Sequence, residues 1–235
     1  MMLKKLQRHF FSKRRASVAA ILTMVAVCSF SIPAAANDTP PIEDVVLRLQ
    51  RLYDNTQDLS AGFIQETTVK SVRKTDLEKG RVYFKTPRRM LWDYTWPKTK
   101  KLIVNAQTAW LYLPDEKLAY RQDADRLFQS ATLIKFLSGI GKLTDDFDLT
   151  FDAPDATDTR GNYVLRLSPK QNSASYQSLR LVVDRSSFHI LQVSFDDVLG
   201  NTTVLKFLDI RLNTKVKTTI FQFKPPADVS IFDMP

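Results

Sequence analysis

Apolar residues recur at Ile42, Val45, Val46, Leu49, Leu52 and Tyr53. That spacing draws one stripe along a helix, and Glu43 and Asp44 fall in its first turn, where the helix dipole favours acids. After Leu59 the period changes. Residues 61–69 are rich in strand formers, the charged stretch through Lys74, Asp76, Glu78 and Lys79 reads as a turn, and residues 80–85 return as the next strand. The most informative stretch then runs from Pro87 to Pro114 and holds all three tryptophans. At period two, Met90, Trp92 and Tyr94 share one strand face while Leu91 and Asp93 share the other, and Trp110 and Tyr112 repeat the pattern against Leu111 and Leu113. A sheet greasy on both sides must be covered on both, either by a packed core or by a hollow that another molecule fills.

Residues 117–122 predict one more strand, and then the pattern breaks. Between Asp125 and Ile140 the apolar positions are Leu127, Phe128, Ala131, Leu133, Ile134, Phe136, Leu137 and Ile140, a helical spacing wider than one stripe, ended by Gly139 and Gly141. Such a helix, set between runs of strands, touches apolar surface on more than one side. The remainder alternates strand and turn through Tyr163–Leu167, Leu179–Asp184, Ile190–Phe195 and Val204–Ile210, with a terminal strand at Phe221-Gln222-Phe223 before Pro225-Pro226. The fold class is therefore mainly β, one antiparallel sheet long enough to curl, with a few helices laid over it.

Charge changes the picture chiefly at the start of the chain. Residues 1–36 carry Lys4, Lys5, Arg8, Lys13, Arg14 and Arg15, then an apolar run to Ile32, then Pro33-Ala34-Ala35-Ala36. This order is that of a cleaved secretory signal peptide, with the cut after Ala36 and residues 37–235 as one mature domain. Cleavage removes six cations and no acid, so the formal charge falls from +9 to +3. A charge that small argues against a nucleic-acid partner, which needs clustered phosphate-neutralising residues. The single cysteine, Cys28, leaves with the leader, as does His9. Disulfides, thiol nucleophiles and cysteine or multi-histidine metal sites are thereby excluded from the mature chain.

Candidate chemistry is sparse. His189 stands between Phe188 and Ile190 without a nucleophile motif, and the neighbouring acids Asp145-Asp146 and Asp196-Asp197 would point to opposite faces of a strand. An Asp-rich stretch through Asp152, Asp155, Asp158 and Gly161 lacks the spacing of a calcium loop and reads as a solvated turn. No catalytic constellation and no cofactor motif emerges, so an enzyme is not expected.

Thr86-Pro87, the strand ending in Trp92-Asp93-Tyr94, Pro97, Leu102-Ile103-Val104-Asn105, Thr108-Ala109-Trp110-Leu111-Tyr112 and the closing run Phe221 to Val229 resemble, as an ordered set, the periplasmic outer-membrane lipoprotein carrier proteins, the LolA family. The likeness extends over nearly all of the mature chain, including the early Phe63-x-Gln65. It implies an unclosed antiparallel barrel of about eleven strands, lidded by helices around a hydrophobic cavity. It also implies a periplasmic monomer that accepts acylated lipoproteins from an inner-membrane ABC exporter and passes them to an outer-membrane receptor. On that basis the cavity would be lined by Val82, Phe84, Met90, Trp92, Tyr94, Trp110 and Tyr112. The lid would be the helix carrying Leu127, Phe128, Leu133, Ile134, Phe136 and Leu137. Three departures from the family pattern stand out. Thr86 occupies the place of an arginine proposed to hold the lid, which makes Thr86, Arg88 and Arg89 the candidates for lid control. The Asp-Gly hairpin is Asn105-Ala106, and the glycine after the late proline pair is Asp228. Carriage of another envelope amphiphile such as a glycolipid, or a lipid-binding stress sensor on the same scaffold, are the alternative readings.

Overall fold

In a computed structural model, residues 39–130, 136, 142–152, 156–171 and 176–234 are described, and Thr39–Pro235 form one unit. Residues 1–38, which include the expected leader, and the expected lid positions Leu133, Ile134 and Leu137 lie outside the described residues. The strands in chain order are β1 (Asp58–Val69), β2 (Lys74–Lys85), β3 (Arg89–Trp96), β4 (Lys100–Val104), β5 (Thr108–Leu113) and β6 (Leu118–Asp123). They continue as β7 (Phe147–Phe151), β8 (Tyr163–Pro169), β9 (Leu179–Val183), β10 (Ile190–Asp196), β11 (Thr202–Leu212) and β12 (Ser230–Asp233). Helix α1 spans Ile42–Asp54, α2 Ala124–Ser130 and α3 Leu143–Asp146.

All twelve strands form one unclosed sheet in the order β12-β6-β5-β4-β3-β2-β1-β11-β10-β9-β8-β7. Every neighbouring pair is antiparallel except β12 with β6. The expected sheet is present with one strand more than the resemblance implied. Two local expectations are overturned. Lys74 to Lys79 belong to β2 and pair with Val69 back to Ile64, so the turn lies at residues 70–73 instead. Charged side chains suit a strand whose start is exposed, and composition alone does not separate such a strand from a turn. The second is Phe221-Gln222-Phe223, which is no strand. Phe221 ends a single 3-10 turn (Thr218–Phe221), and the edge strand comes later, at Ser230–Asp233.

The apolar stripe of α1 buries Val45, Val46, Leu49 and Tyr53. It packs into the main core with residues of β1, β2, β3 and β7 to β11. The buried Gln50 amide ties α1 to α3, its oxygen accepting from the Leu143 N–H at 3.2 Å. Gly80, beside a register shift in the β2–β3 pairing, lies beneath the Phe63 ring. A Cβ there would stand 2.1 Å from the Asp93 carbonyl oxygen and 2.9 Å from Phe63 Cε1. Gly80→Ala must therefore displace β3 backbone, and its urea midpoint is expected to fall by the equivalent of about 1–3 kcal/mol with an unchanged slope. A midpoint equal to the parent's would show that the sheet yields at this point without cost.

Candidate functional site

The pairing registers decide which side chains face the hollow of the curved sheet. Phe84 pairs with Met90 and Val82 with Trp92, then Met90 with Val104 and Trp92 with Leu102, so these six share one face. From β1 that face receives Leu59, Ala61 and Phe63, and from β11 Phe207, the partner of Phe63. The helices α1 and α2 close it, with Tyr53, Phe128 and Phe136 joining the same buried cluster. Val82, Phe84, Met90 and Trp92 are all buried there.

Trp110 and Tyr112 are elsewhere. Leu91 pairs with Ile103 and Ile103 with Trp110, so this aromatic pair belongs to the opposite, outer face. Both pack on Phe223, with ring centroids 5.5 and 5.0 Å away, in a second cluster closed by Phe221. The segment after β11 is thus a strap over the outer face of β3 to β6. Reading β5 as apolar on both sides was right, but assigning its two faces required the register across the β4–β5 hairpin, which the sequence does not state.

Toward the hairpin end of β1 to β4 the inner face turns polar. The Tyr94 hydroxyl donates to Gln65 at 3.1 Å, the Gln65 amide donates to Glu78 at 3.3 Å, and Lys100 Nζ donates to Glu78 at 2.6 Å. Lys100 also lies over the Tyr94 ring, 4.3 Å from its centroid. Burial and then the Glu78 carboxylate push the Tyr94 phenol well above its ordinary range, so it stays a neutral donor. Burial likewise pushes the Tyr53 phenol up to about 12, against the Ile190 N–H that its oxygen accepts. The apolar interior therefore runs from Leu59 to Phe63 along β1, about 13 Å at strand rise, and ends on a polar floor at Gln65, Glu78 and Lys100. Tyr94 spans the boundary.

Among the described residues, the walls of that interior are closely packed. Phe63, Phe84 and Met90 are each at most 2 % exposed, and the gap bounded by Tyr53, Leu59, Ala61, Phe84, Ile190, Phe207 and Ile210 measures only about 10 Å³. Ligand pockets hold about 300–1,000 Å³. Where it is described, the interior is aromatic, with Phe63 meeting Trp92 at 5.0 Å and Tyr53 meeting Phe136 at 5.0 Å. Inside this interior one polar atom is stranded, since Nε1 of Trp92 is buried with no hydrogen-bond partner. Leaving such a donor unmet costs about 1–3 kcal/mol.

Of the three candidates for lid control, Arg88 alone reaches α2. Its Nη2 donates to the Asp125 carboxylate in the first turn of α2, and its guanidinium stacks over the Phe128 ring, 5.0 Å from the centroid. Arg88 adopts a left-handed backbone, φ +61°, in the turn between β2 and β3. For a non-glycine residue that conformation costs on the order of 1–3 kcal/mol, and the anchored side chain helps hold it. Thr86 instead donates its hydroxyl to the Gln57 carbonyl at 3.1 Å, and Arg89 donates to the Pro87 carbonyl at 3.3 Å. Both serve the turn.

The remaining polar candidates have local duties. Asp152 is gripped by Arg166 at 2.6 Å and Arg180 at 2.7 Å. Partial burial raises its carboxyl, but the two guanidiniums outweigh that and hold it below the ordinary range. Asp158 accepts from the Arg160 and Asn162 N–H groups at 2.9 Å and so fixes a turn. Burial lowers the His189 imidazole despite the nearby Asp184. Sequence reading missed Phe63, Phe207 and Tyr53 as interior walls and Asp125 as the partner of the latch. Alternation in Ala61-Phe63-Gln65 carried the first of these signals, and nothing local carried the last.

Comparison with known proteins follows the same outline. A family model described as outer membrane lipoprotein carrier protein LolA matches residues 54–224. An outer-membrane lipoprotein carrier protein of Neisseria gonorrhoeae is 25% identical over 211 residues, covering 90% of this chain and 96% of that one. Its counterpart in Methylococcus capsulatus is 27% identical over 188 residues, 79% and 86% of the two chains. Among solved structures, an uncharacterized conserved protein from Thermus thermophilus superposes with a TM-score of 0.53 at 12% identity, covering 82% of this chain and 98% of that chain, which is a likeness of fold.

Proposed function

The chain belongs to the LolA family of outer membrane lipoprotein carrier proteins, and from that premise we propose that it carries acylated lipoproteins across the periplasm, sheltering their acyl chains inside the curved sheet. The observation that carries the reading is an apolar interior covered by a short helix that Arg88 ties to the turn before β3. A cargo chain enters by displacing the helix and the rings beneath it.

The magnitudes permit this exchange. Uncovering a buried aromatic side chain costs about 1.5–3 kcal/mol, so lifting Phe128 and Phe136 costs roughly 3–6 kcal/mol. Burying an acyl chain returns about 0.8 kcal/mol per methylene, on the order of 10 kcal/mol for a long chain. The cargo covers the cost of opening with a moderate surplus. That surplus makes the grip weak enough to release, because the walls recover their own packing when the chain leaves. An interior kept permanently open would bind more tightly and let go less readily.

In this reading the leader directs export, an inner-membrane ABC exporter loads the carrier, and an outer-membrane receptor unloads it. The test is depletion of the protein in its native cell, with lipoproteins located by membrane fractionation and the material co-purified with the protein identified by mass spectrometry. Lipoproteins should accumulate at the inner membrane, and diacylated polypeptide should accompany the carrier. Normal delivery to the outer membrane, or a glycolipid as the companion, would contradict the proposal.

A further inference from the structure

Among the described residues only two buried side-chain nitrogen or oxygen atoms have no hydrogen-bond partner, Nε1 of Trp92 and Nε of Arg88. Arg88 still engages an acid through Nη2. Indole has a single donor and no other polar atom, so Trp92 has no such outlet. The residue is only 6 % exposed, and its ring is enclosed by Phe63, Phe84 and Phe207 with centroids 5.0, 6.0 and 6.3 Å away. These rings offer at best a weak contact to the N–H. A phenylalanine would fill much of the same space without the penalty, so the donor has no packing role that explains it.

Trp92 also sits at a chosen height. On the inner face of β3 it lies between Met90, nearer the turn that holds Arg88, and Tyr94, whose hydroxyl is already spent on Gln65. It is thus the free donor within the greasy part of the interior, above the polar floor. Resting on the carrier reading, we propose that the Trp92 indole N–H is a specificity-determining donor that accepts the ester carbonyl of an entering acyl chain as its partner, so that the site selects ester-linked acyl chains over ether-linked alkyl chains. The carbonyl is the one acceptor that an acyl chain brings out of water with it. Buried alone it would lose its hydration, and Trp92 supplies the missing bond while relieving its own. No covalent step is involved, and the ring need only tilt as the phenylalanines part.

The experiment compares two probes that differ only in that group, a cysteinyl peptide carrying two ester-linked palmitoyl chains on glycerol and its dihexadecyl ether analogue. Binding of each to the mature chain is read by displacement of a hydrophobic fluorophore. The parent should bind the ester about fivefold more tightly, equivalent to about 1 kcal/mol. In Trp92→Phe the ratio should fall to about one, whatever the change in absolute affinity for both probes. A second readout uses only the parent. The indole N–H resonance of Trp92, assigned with Trp96→Phe and Trp110→Phe variants, should move downfield with the ester probe and not with the ether. Equal binding of both probes by the parent, or a ratio that survives in Trp92→Phe, would overturn the proposal with carriage of acyl chains intact. Failure of the parent to bind either probe would overturn the carrier reading itself, and this inference with it.

Discussion

Arg88→Ala is expected to bind acyl lipid more tightly than the parent, although the substitution only removes contacts. The contacts it removes belong to the closed form. The ion pair to Asp125 lies in solvent, with that side chain 63% exposed, so it contributes little beyond ~0.5 kcal/mol. Stacking over the buried Phe128 ring contributes about 0.5–2 kcal/mol. Together the two hold α2 down by about 1–2 kcal/mol, so losing them raises the open population about five- to thirtyfold. Since lipid binds the open form, the apparent affinity and the rate of uptake should rise by that factor. Uptake of a hydrophobic fluorophore should rise in parallel. Alanine meets a similar backbone cost at φ +61° as arginine does, so the change isolates the side chain. The price is release, and a receptor should unload this variant more slowly. Unchanged or weaker lipid binding, with unchanged fluorophore uptake, would remove Arg88 from lid control.

The legible part of the molecule was what period and composition can carry. Helix α1 was readable because Ile42, Val45, Leu49 and Tyr53 keep one face through the whole element. The run of strands was readable from alternation, and the inner face of β3 from Met90, Trp92 and Tyr94. What failed needed distances between strands. Trp110 and Tyr112 look identical in local pattern to Trp92 and Tyr94, and only the pairing of Ile103 with Trp110 turns them outward. The strap at Phe221 and Phe223 was mistaken for a strand because its aromatics are buried by the sheet rather than within it. Whether an apolar interior is hollow was equally out of reach, since it depends on how far opposing rings extend across the curve. Arg88 was within the candidate set, but its choice over Thr86 and Arg89 required the position of Asp125.

The second large effect follows from the closed interior. If cargo enters by displacing α2, fastening that helix to the turn before β3 should abolish uptake altogether, because the buried rings of Phe63, Phe84 and Trp92 beneath it could then not part to admit a methylene chain. Residues 37–235 contain no cysteine, so in a protein of those residues thiols introduced by Arg88→Cys and Asp125→Cys would be the only pair available for linking. A bismaleimide with a disulfide at its centre joins them reversibly across the place where the natural latch lies.

The decisive measurement is the affinity of this doubly substituted protein for a diacylated peptide in the linked state and again after the linker is reduced, with urea unfolding used to confirm an intact fold in both. The account predicts no measurable binding while linked and recovery on reduction to at least the affinity of the parent. Undiminished binding by the linked protein would mean that the chain reaches its site without moving α2, and that the packed interior between Phe63, Trp92 and Phe207 is not where cargo is held.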